Sequence, residues 1–441
     1  MRSMVEGYCL GLRQLPFHHP SGGPPPHLTM GRNLSDKSPP PCQAPLMAAP
    51  HLASAPEPEL GLPGWIYRDP EFFAVEMERV IRPSWQIVCH ANDIPGAGDW
   101  RTLDWLGESV IAVRGGDGAI RAFHNLCRHR GSRIVAGTEG CAKRLTCPYH
   151  AWTYGLDGRL IGVPQREDYP GLDPAKLGLK PVDLEIWRGF VFVRLESDGG
   201  PSVAETIAPY DEEIAPYCFE QLQAIGRVTL RPRPVNWKNV ADNYSDGLHI
   251  PVAHPGLTRL FGRGYRIDAQ PHADRMSGDL VERPSPVLSE RAYQHFLPPA
   301  EHLPESHRRR WLYFKLWPNV AFDIYPDQVD FMQFLPVSPT ETLIREIAYA
   351  LPDANMPEEW RREMKAARYL NWRINRRVNA EDTALIEGVQ AGMGSRAFEP
   401  GPLGESEVCL RSFARKLRRL IPEARLHTPP PAGWSRAQSA R

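Results

Sequence analysis

The chain has 441 residues, and its 52 Lys and Arg are matched by 52 Asp and Glu, so the formal charge is zero and a nucleic-acid partner, which calls for a basic excess, is not expected. Apolar residues at 42% and charged residues at 24% exclude a fibrous or wholly disordered chain, and no run approaches the ~18 consecutive apolar residues of a membrane span. Eight cysteines are too few for a disulfide scaffold at this length, so a reducing, cytoplasmic setting is expected, with metal as the use of any clustered thiols.

Length alone predicts two or three domains. Residues 1–62 are rich in Pro, Ser, Gly and His, with Pro24-Pro25-Pro26 and Pro39-Pro40-Pro41. They are expected to form a disordered extension, because they cannot bury enough apolar surface to offset the entropy of ordering. They lack the apolar core and cleavage site of a signal peptide, and Met30 and Met47 are alternative starts. Order is predicted from Trp65, with a short helix over 69–80 that Asp69 caps and Pro70 starts. Short β-like runs follow at 85–89, 109–114 and 119–124, the last two joined by the hairpin signal Gly115-Gly116-Asp117-Gly118. A second turn at Gly155-Leu156-Asp157-Gly158 and a run at 190–195 complete a small antiparallel β domain over 63–199. Residues 200–425 read as an α+β domain: a helix-like stretch at 239–248, strand-like runs at 312–316, 320–325, 331–337 and 343–351, and a long helix over 357–390. A tail at 426–441, with Pro429-Pro430-Pro431, is expected to be disordered.

In the β domain, Cys127-Arg128-His129 and Cys147-Pro148-Tyr149-His150 each present one thiol and one imidazole from a short loop. Two Cys and two His in this arrangement are the ligand set of a Rieske 2Fe–2S cluster, whose imidazoles reduce the negative charge and raise the potential. A Cys2His2 zinc site is the alternative, but zinc fingers pair Cys with Cys and His with His. Cys141, between the halves, is expected to be a buried small apolar residue. Trp152 is expected to shield the cluster, and Arg128, Arg130 and Arg133 to offer an acidic electron donor a landing place or simply to face solvent.

In the second domain, His249 and His254 are five residues apart with Pro251 between them, a residue expected to end or kink a helix and let the second imidazole swing back. Two imidazoles and one carboxylate make the facial triad of a non-haem Fe(II) oxygenase, with open positions for O2. The carboxylate candidates are Glu381 and Asp382. Asp382 shares a helix face with Leu385, Ile386 and Val389 and is expected to point into the core, whereas Glu381 is turned about 100° away.

Together these segments resemble the large (alpha) subunit of Rieske non-haem iron ring-hydroxylating oxygenases, over about 65–425. The marks are Cys127, His129, Cys147 and His150 in the run Cys-Pro-Tyr-His-Ala-Trp, then Asn236-Trp237-Lys238, Asp246, His249, His254 and Glu381-Asp382. The resemblance implies an α+β chain with an N-terminal Rieske antiparallel β domain followed by a helix-grip (SRPBCC-like) α/β catalytic domain. It implies that His249, His254 and Asp382 bind the mononuclear Fe(II), that Asn243 lies close to it, and that Asp246 bridges an iron His to the cluster His150 of a neighbouring subunit. That carboxylate would fix both tautomers and shorten the electron path. A homo-oligomer, usually a trimer, is therefore expected, with room for a small beta subunit. The chain shows no convincing dinucleotide fingerprint, so NAD(P)H and flavin enter only through a partner, a ferredoxin or flavin reductase. The resemblance leaves the substrate divided between aromatics, the preferred expectation, and quaternary ammonium compounds of the carnitine or betaine type. A bare Rieske electron carrier, which needs only the first domain, is the non-oxygenase alternative. Tyr313, Phe314, Phe322, Tyr325, Phe331 and Phe334 are candidate pocket walls or sheet core, and an aromatic cage with a carboxylate would mark a cationic substrate.

Overall fold

A computed structural model of the chain describes residues 59–197, 199–297, 299–353 and 356–436. Most of the expected N-terminal extension and the end of the expected tail lie outside the described residues. Helix α1 (Pro70–Glu76) starts as its sequence dictates: Asp69 accepts from the Phe72 N–H, and Pro70 occupies the first turn. It runs on into a π-helical turn, Met77–Ile81. Strands β1 (Gln86–His90), β2 (Asp99–Trp105), β3 (Glu108–Arg114), β4 (Ile120–His124), β5 (Glu139–Cys141), β6 (Leu145–Thr146), β7 (Thr153–Tyr154), β8 (Leu160–Gly162), β9 (Asp183–Trp187) and β10 (Phe190–Arg194) then form three small antiparallel sheets, β4-β3-β2-β5, β6-β7-β8 and β1-β10-β9. The turn between β7 and β8 needs glycine at Gly158, whose φ is +84° and whose Cβ would fall 2.5 Å from the Phe123 ring.

The later part of the chain is built on one antiparallel sheet of eight strands. These are β11 (Gln223–Ala224), β12 (Thr229–Arg233), β13 (Arg266–Ala269), β14 (Ala273–Asp279), β15 (Arg310–Leu316), β16 (Val320–Ile324), β17 (Val329–Ser338) and β18 (Glu341–Ala350), in the order β11-β18-β17-β16-β15-β14-β13, with β12 also on β18. Helix α2 (Trp237–Ser245), helix α3 (Glu358–Gly392) and helix α4 (Val408–Leu420) accompany it. Gln390 of α3 fixes the first two helices together: its Oε1 accepts from Asn236 N (3.0 Å) and Asn239 Nδ2 (2.7 Å), and its Nε2 donates to Tyr67 O (3.1 Å). Helix α4 buries Cys409, Phe413, Ala414 and Leu417 on one stripe, with Phe413 against Trp237 and Trp317.

Lys238 of α2 and Glu76 of α1 form an ion pair at 2.8 Å with neither side chain exposed. Burial pushes the Glu76 carboxyl up and the Lys238 amine down, and their mutual attraction opposes both shifts. Removing one partner strands the other charge, so Lys238→Met is expected to cost about 3–5 kcal/mol of stability. Denaturant unfolding of the variant against the parent measures this, and a loss under about 1 kcal/mol would show that the pair does not hold the helices together.

Three expectations change here. The described ends are packed: Glu59 pairs with Arg411 and Arg415 of α4, and Leu62 is buried, so order begins before 63. In the tail, Glu71 accepts from Gly433 N and Ser435 N, and Trp434 lies 6.4 Å from the Phe72 ring, because an aromatic side chain at the end of a Pro-rich stretch finds an apolar seat. Cys141 is exposed, because the short β5 pairs only at one edge of its sheet, with β2. Among the described residues no helix is long and apolar enough to cross a membrane.

Candidate functional site

The two Cys/His loops lie at neighbouring ends of the small sheets. Cys127 and Cys147 are buried, and the His129 and His150 rings have centroids 4.8 Å apart. Both loops fold as tight turns, with Gly131 N donating to Cys127 O and Ala151 N to Cys147 O, each at 3.0 Å. Trp152 stacks on His129 at 4.8 Å and 7° between planes. The Tyr154 hydroxyl reaches Cys127 Sγ at 3.3 Å and accepts from Arg128 N at 2.9 Å. Burial raises both thiols. At Cys147 the backbone N–H groups of Tyr149 and His150 outweigh it and leave the thiol below its ordinary value; at Cys127 burial prevails. His129 Nδ1 is buried with no hydrogen-bond partner among the described residues. A buried ring nitrogen left bare beside two thiols turned together is an atom shaped for a metal, so the four residues fit an iron–sulfur cluster. His150 Nε2 lies 3.0 Å from Arg130, Arg133 pairs with Asp104, and Arg128 donates to Gly178 O; Arg130 and Arg133 are exposed to solvent while holding these local contacts, and Arg128 is half-buried.

The second centre forms where α2 ends. The helix stops at Ser245, earlier than the sequence pattern suggests, and Asp246 follows it in extended conformation. Asp246 Oδ1 accepts from Leu248 N (2.8 Å), which turns the chain, and Gly247 lets Ile267 approach, because a Cβ there would fall 2.6 Å from its side chain. Pro251 opens a helical turn, Ile250–Ala253, rather than ending one, and this turn carries His254 back to His249. The two Nε2 atoms are 3.1 Å apart, and Asp382 Oδ1 lies 2.9 Å from His254 Nε2 and 3.5 Å from His249 Nε2. One ligand atom from each residue lies within 4.8 Å of the others, a set able to hold one metal ion.

Behind these atoms stand two more carboxylates. His249 Nδ1 faces Asp246 Oδ2 and His254 Nδ1 faces Glu381 Oε2, each at 2.9 Å. Each Nδ1–H donated to a carboxylate leaves the Nε2 lone pair turned to the shared point. Burial lowers the His249 imidazole, but the hydrogen bonds to Asp246 and Asp382 outweigh it and lift it to about 9. Burial raises Asp382, and its bonds to the two imidazoles reverse that and hold it at about 2. Asn243 Nδ2 donates to Asp382 Oδ1 at 3.2 Å. Of the face expected to be core, Ile386 is buried while Leu385 and Val389 are 42% and 47% exposed, in a groove that also includes Asp246. Glu381, expected to face elsewhere, instead reaches the other nitrogen of the same His254 ring that Asp382 approaches, a role the helix angle alone did not suggest.

A cavity of about 120 Å³ opens on the metal-site residues. Tyr313 and Phe334 line it as expected, joined by Tyr244 and Tyr265, whereas Phe314, Phe322 and Phe331 are sheet core. Asp323, which no sequence motif marks, also lines it. Tyr244 OH donates to Asp323 Oδ1 at 2.6 Å and Tyr325 OH to Oδ2 at 3.4 Å. Burial pushes the Asp323 carboxyl up to about 6, with the two tyrosine hydroxyls restraining the rise, so it is mainly ionised at neutral pH. Its signal lay in alternation: Ala321 and Asp323 flank Phe322, so that aspartate takes the face opposite the phenylalanine core.

Residues 84–178 match the Rieske [2Fe-2S] domain, and residues 219–423 match the ring hydroxylating alpha subunit (catalytic domain). The carnitine monooxygenase oxygenase subunit of Escherichia coli (strain K12) is 31% identical over 359 residues, 79% of this chain and 88% of that protein. The chain belongs to the Rieske ring-hydroxylating oxygenases. The glycine betaine monooxygenase oxygenase subunit of Chromohalobacter salexigens is 30% identical over 379 residues, covering 77% of this Rieske oxygenase and 81% of the relative. A solved quaternary ammonium Rieske monooxygenase shares the fold, with a TM-score of 0.69, 23% identity, and coverage of 83% of this chain and 96% of that one. The protein is thus a terminal oxygenase component of the family's α+β fold, with a Rieske cluster and a mononuclear iron as its cofactors, and it takes electrons from a reductase partner within an oligomer.

Proposed function

We propose that this Rieske oxygenase is a monooxygenase of quaternary ammonium compounds. The observation that carries the proposal is Asp323, a buried carboxylate in the wall of the metal-site cavity, held by a tyrosine hydroxyl at 2.6 Å among Tyr244, Tyr265, Tyr313 and Phe334. Aromatic faces and a carboxylate together attract a cation that has no N–H to donate; a neutral aromatic ring stacks on the same faces but gains nothing from the carboxylate. The relatives named for carnitine and glycine betaine support the same reading. An aromatic substrate, the preferred expectation from the sequence, therefore gives way to the cationic one.

In this proposal Cys127, His129, Cys147 and His150 hold the cluster within a Rieske domain over 63–199. His249, His254 and Asp382 hold the iron within a catalytic domain over 200–425. When bound, the iron would supply the activation of O2 with two electrons delivered through the cluster and two protons, so that one oxygen atom enters a C–H bond beside the quaternary nitrogen and the other leaves as water; the resulting carbinol then breaks its C–N bond, releasing a tertiary amine and an aldehyde. Around it the chain positions: Asp246 and Glu381 fix the two imidazole tautomers, Asn243 steadies Asp382, and the tyrosines exclude water and seat the cation. Asp246 also receives His150 of the partner subunit in a trimer, the exposed Leu385 and Val389 beside it being suited to cover by a neighbour.

The test is turnover with a surrogate reductase, with products identified by mass spectrometry. L-carnitine, glycine betaine or choline is expected to give a dealkylated amine, while naphthalene and toluene give nothing; aromatic turnover alone would overturn the reading. Asp323→Asn is expected to raise KM for the cation about tenfold or more, since one lost charge contact of about 1.4 kcal/mol is a factor of ten. An unchanged KM would remove Asp323 from the binding site.

A further inference from the structure

Apart from the metal-site residues and Asp246, the cavity wall contains one acidic and one basic side chain, Asp323 and Arg233. Arg233 lies on β12 at the sheet edge, opposite Thr342 of β18. Its guanidinium donates to the carbonyl of adjacent Pro232 at 3.1 Å; among the described residues no carboxylate reaches ion-pair distance of it, and Glu387 and Asp382 act on it only at longer range, where burial outweighs them. Two residues earlier on the same strand face, Arg231 enters an adjoining chamber of about 340 Å³, where Arg376 of α3 joins it. The two spaces share Asp323, Met332, Asn375 and Asn379 as walls.

This group of three guanidiniums is poorly neutralised. Glu346 pairs with Arg231, whose Nε stays buried without a partner among the described residues, and Arg376, which is exposed at the chamber mouth, rests over the Trp372 ring at 5.3 Å. Burial lowers the Arg231 guanidinium, and the charges of Arg233 and Arg376 lower it further. Of the other acids on the chamber wall, Asp323 is engaged by tyrosines, and Asp330 accepts from Gln328 at 3.1 Å and is pushed well up by burial, which favours its neutral form. Like charges gathered beside a substrate cavity cost stability unless an anion joins them.

We propose that Arg233, supported by Arg231 and Arg376, binds a carboxylate at the far end of the substrate, so that the enzyme selects zwitterionic betaines over quaternary ammonium alcohols. This rests on the quaternary ammonium reading for the cation end only. Arginine is suited to the task because its planar fork binds a carboxylate with two parallel hydrogen bonds. Asp323 and the tyrosines take one end of the zwitterion and the guanidiniums take the other, which leaves the methyl groups toward the metal-site residues.

The experiment uses the iron-loaded full chain and calorimetric Kd values for four probes: γ-butyrobetaine and its primary amide, and the carbon isostere 5,5-dimethylhexanoate and its primary amide. Each acid is expected to bind at least about tenfold more tightly than its amide, and Arg233→Ala to reduce that ratio to near one, with Arg233→Lys intermediate. The visible spectrum of the cluster reports that each variant is folded. Acid and amide binding equally in both pairs, or no probe binding, overturns the proposal, as does an acid-to-amide ratio that survives Arg233→Ala. If the acids win in both pairs but the trimethylammonium group adds nothing over its carbon isostere, the cation reading falls while the carboxylate site stands.

Discussion

Asp382→Asn is expected to lower the iron content of the purified chain from about three atoms to about two, with the cluster spectrum unchanged and turnover lost. The reasoning is geometric. Asp382 Oδ1 is 2.9 Å and 3.5 Å from the two imidazole Nε2 atoms, and it is the carboxylate in the three-residue set whose atoms converge. An amide gives the metal a neutral oxygen in place of an anion and weakens the set by a full charge. Glu381→Gln provides the contrast: it removes only the carboxylate behind His254, so iron should be retained with an affinity lower by roughly 10–100-fold. Elemental analysis with visible spectroscopy decides between them. Full iron loading in Asp382→Asn with loss in Glu381→Gln would exchange their roles.

Asp246→Asn should separate the two redox centres without emptying either. Its Oδ2 accepts from His249 Nδ1 at 2.9 Å while Oδ1 is occupied by Leu248 N. Burial raises the Asp246 carboxyl, but the bonds from His249 and Leu248 outweigh it and keep it below the ordinary aspartate range, so it is an anion at working pH. An asparagine can accept from one imidazole, but it brings no charge to hold His249 and a second histidine together. Mixing the reduced variant with O2 and substrate in stopped flow should show cluster oxidation slowed at least about 100-fold, with the spectrum and iron content preserved. Cluster oxidation at the parent rate would mean that electrons do not depend on this carboxylate.

The sequence made the candidate ligands legible because metals demand particular residue types at particular spacings. Cys127, His129, Cys147 and His150 could be read before any fold was known, and so could the strands at 320–325 and 343–351, whose apolar runs are bounded by turns. The groups around the ligands were not legible. Glu381 reaches His254 because α3 runs antiparallel alongside α2, with Gln390 held by Asn236, Asn239 and Tyr67 at the start of α2 and Asp382 against Asn243 near its end. Asp323 and Arg233 are ordinary strand residues until the sheet closes around the cavity. The described parts of the two ends are packed because single anchors outweigh a Pro-rich composition: Glu59 pairs with α4 and Trp434 lies against Phe72.

Helix α3 holds Arg376 and Asp382 on one rigid rod. They are six residues apart, which is about 9 Å along a helix that rises 1.5 Å per residue and about 120° around it. If the carboxylate of the substrate is moored near Arg376 and the oxidising centre is fixed at Asp382, the helix acts as a ruler. It meters the length of the carbon chain between the acid and the methyl group to be oxidised, and regiochemistry follows from that spacing.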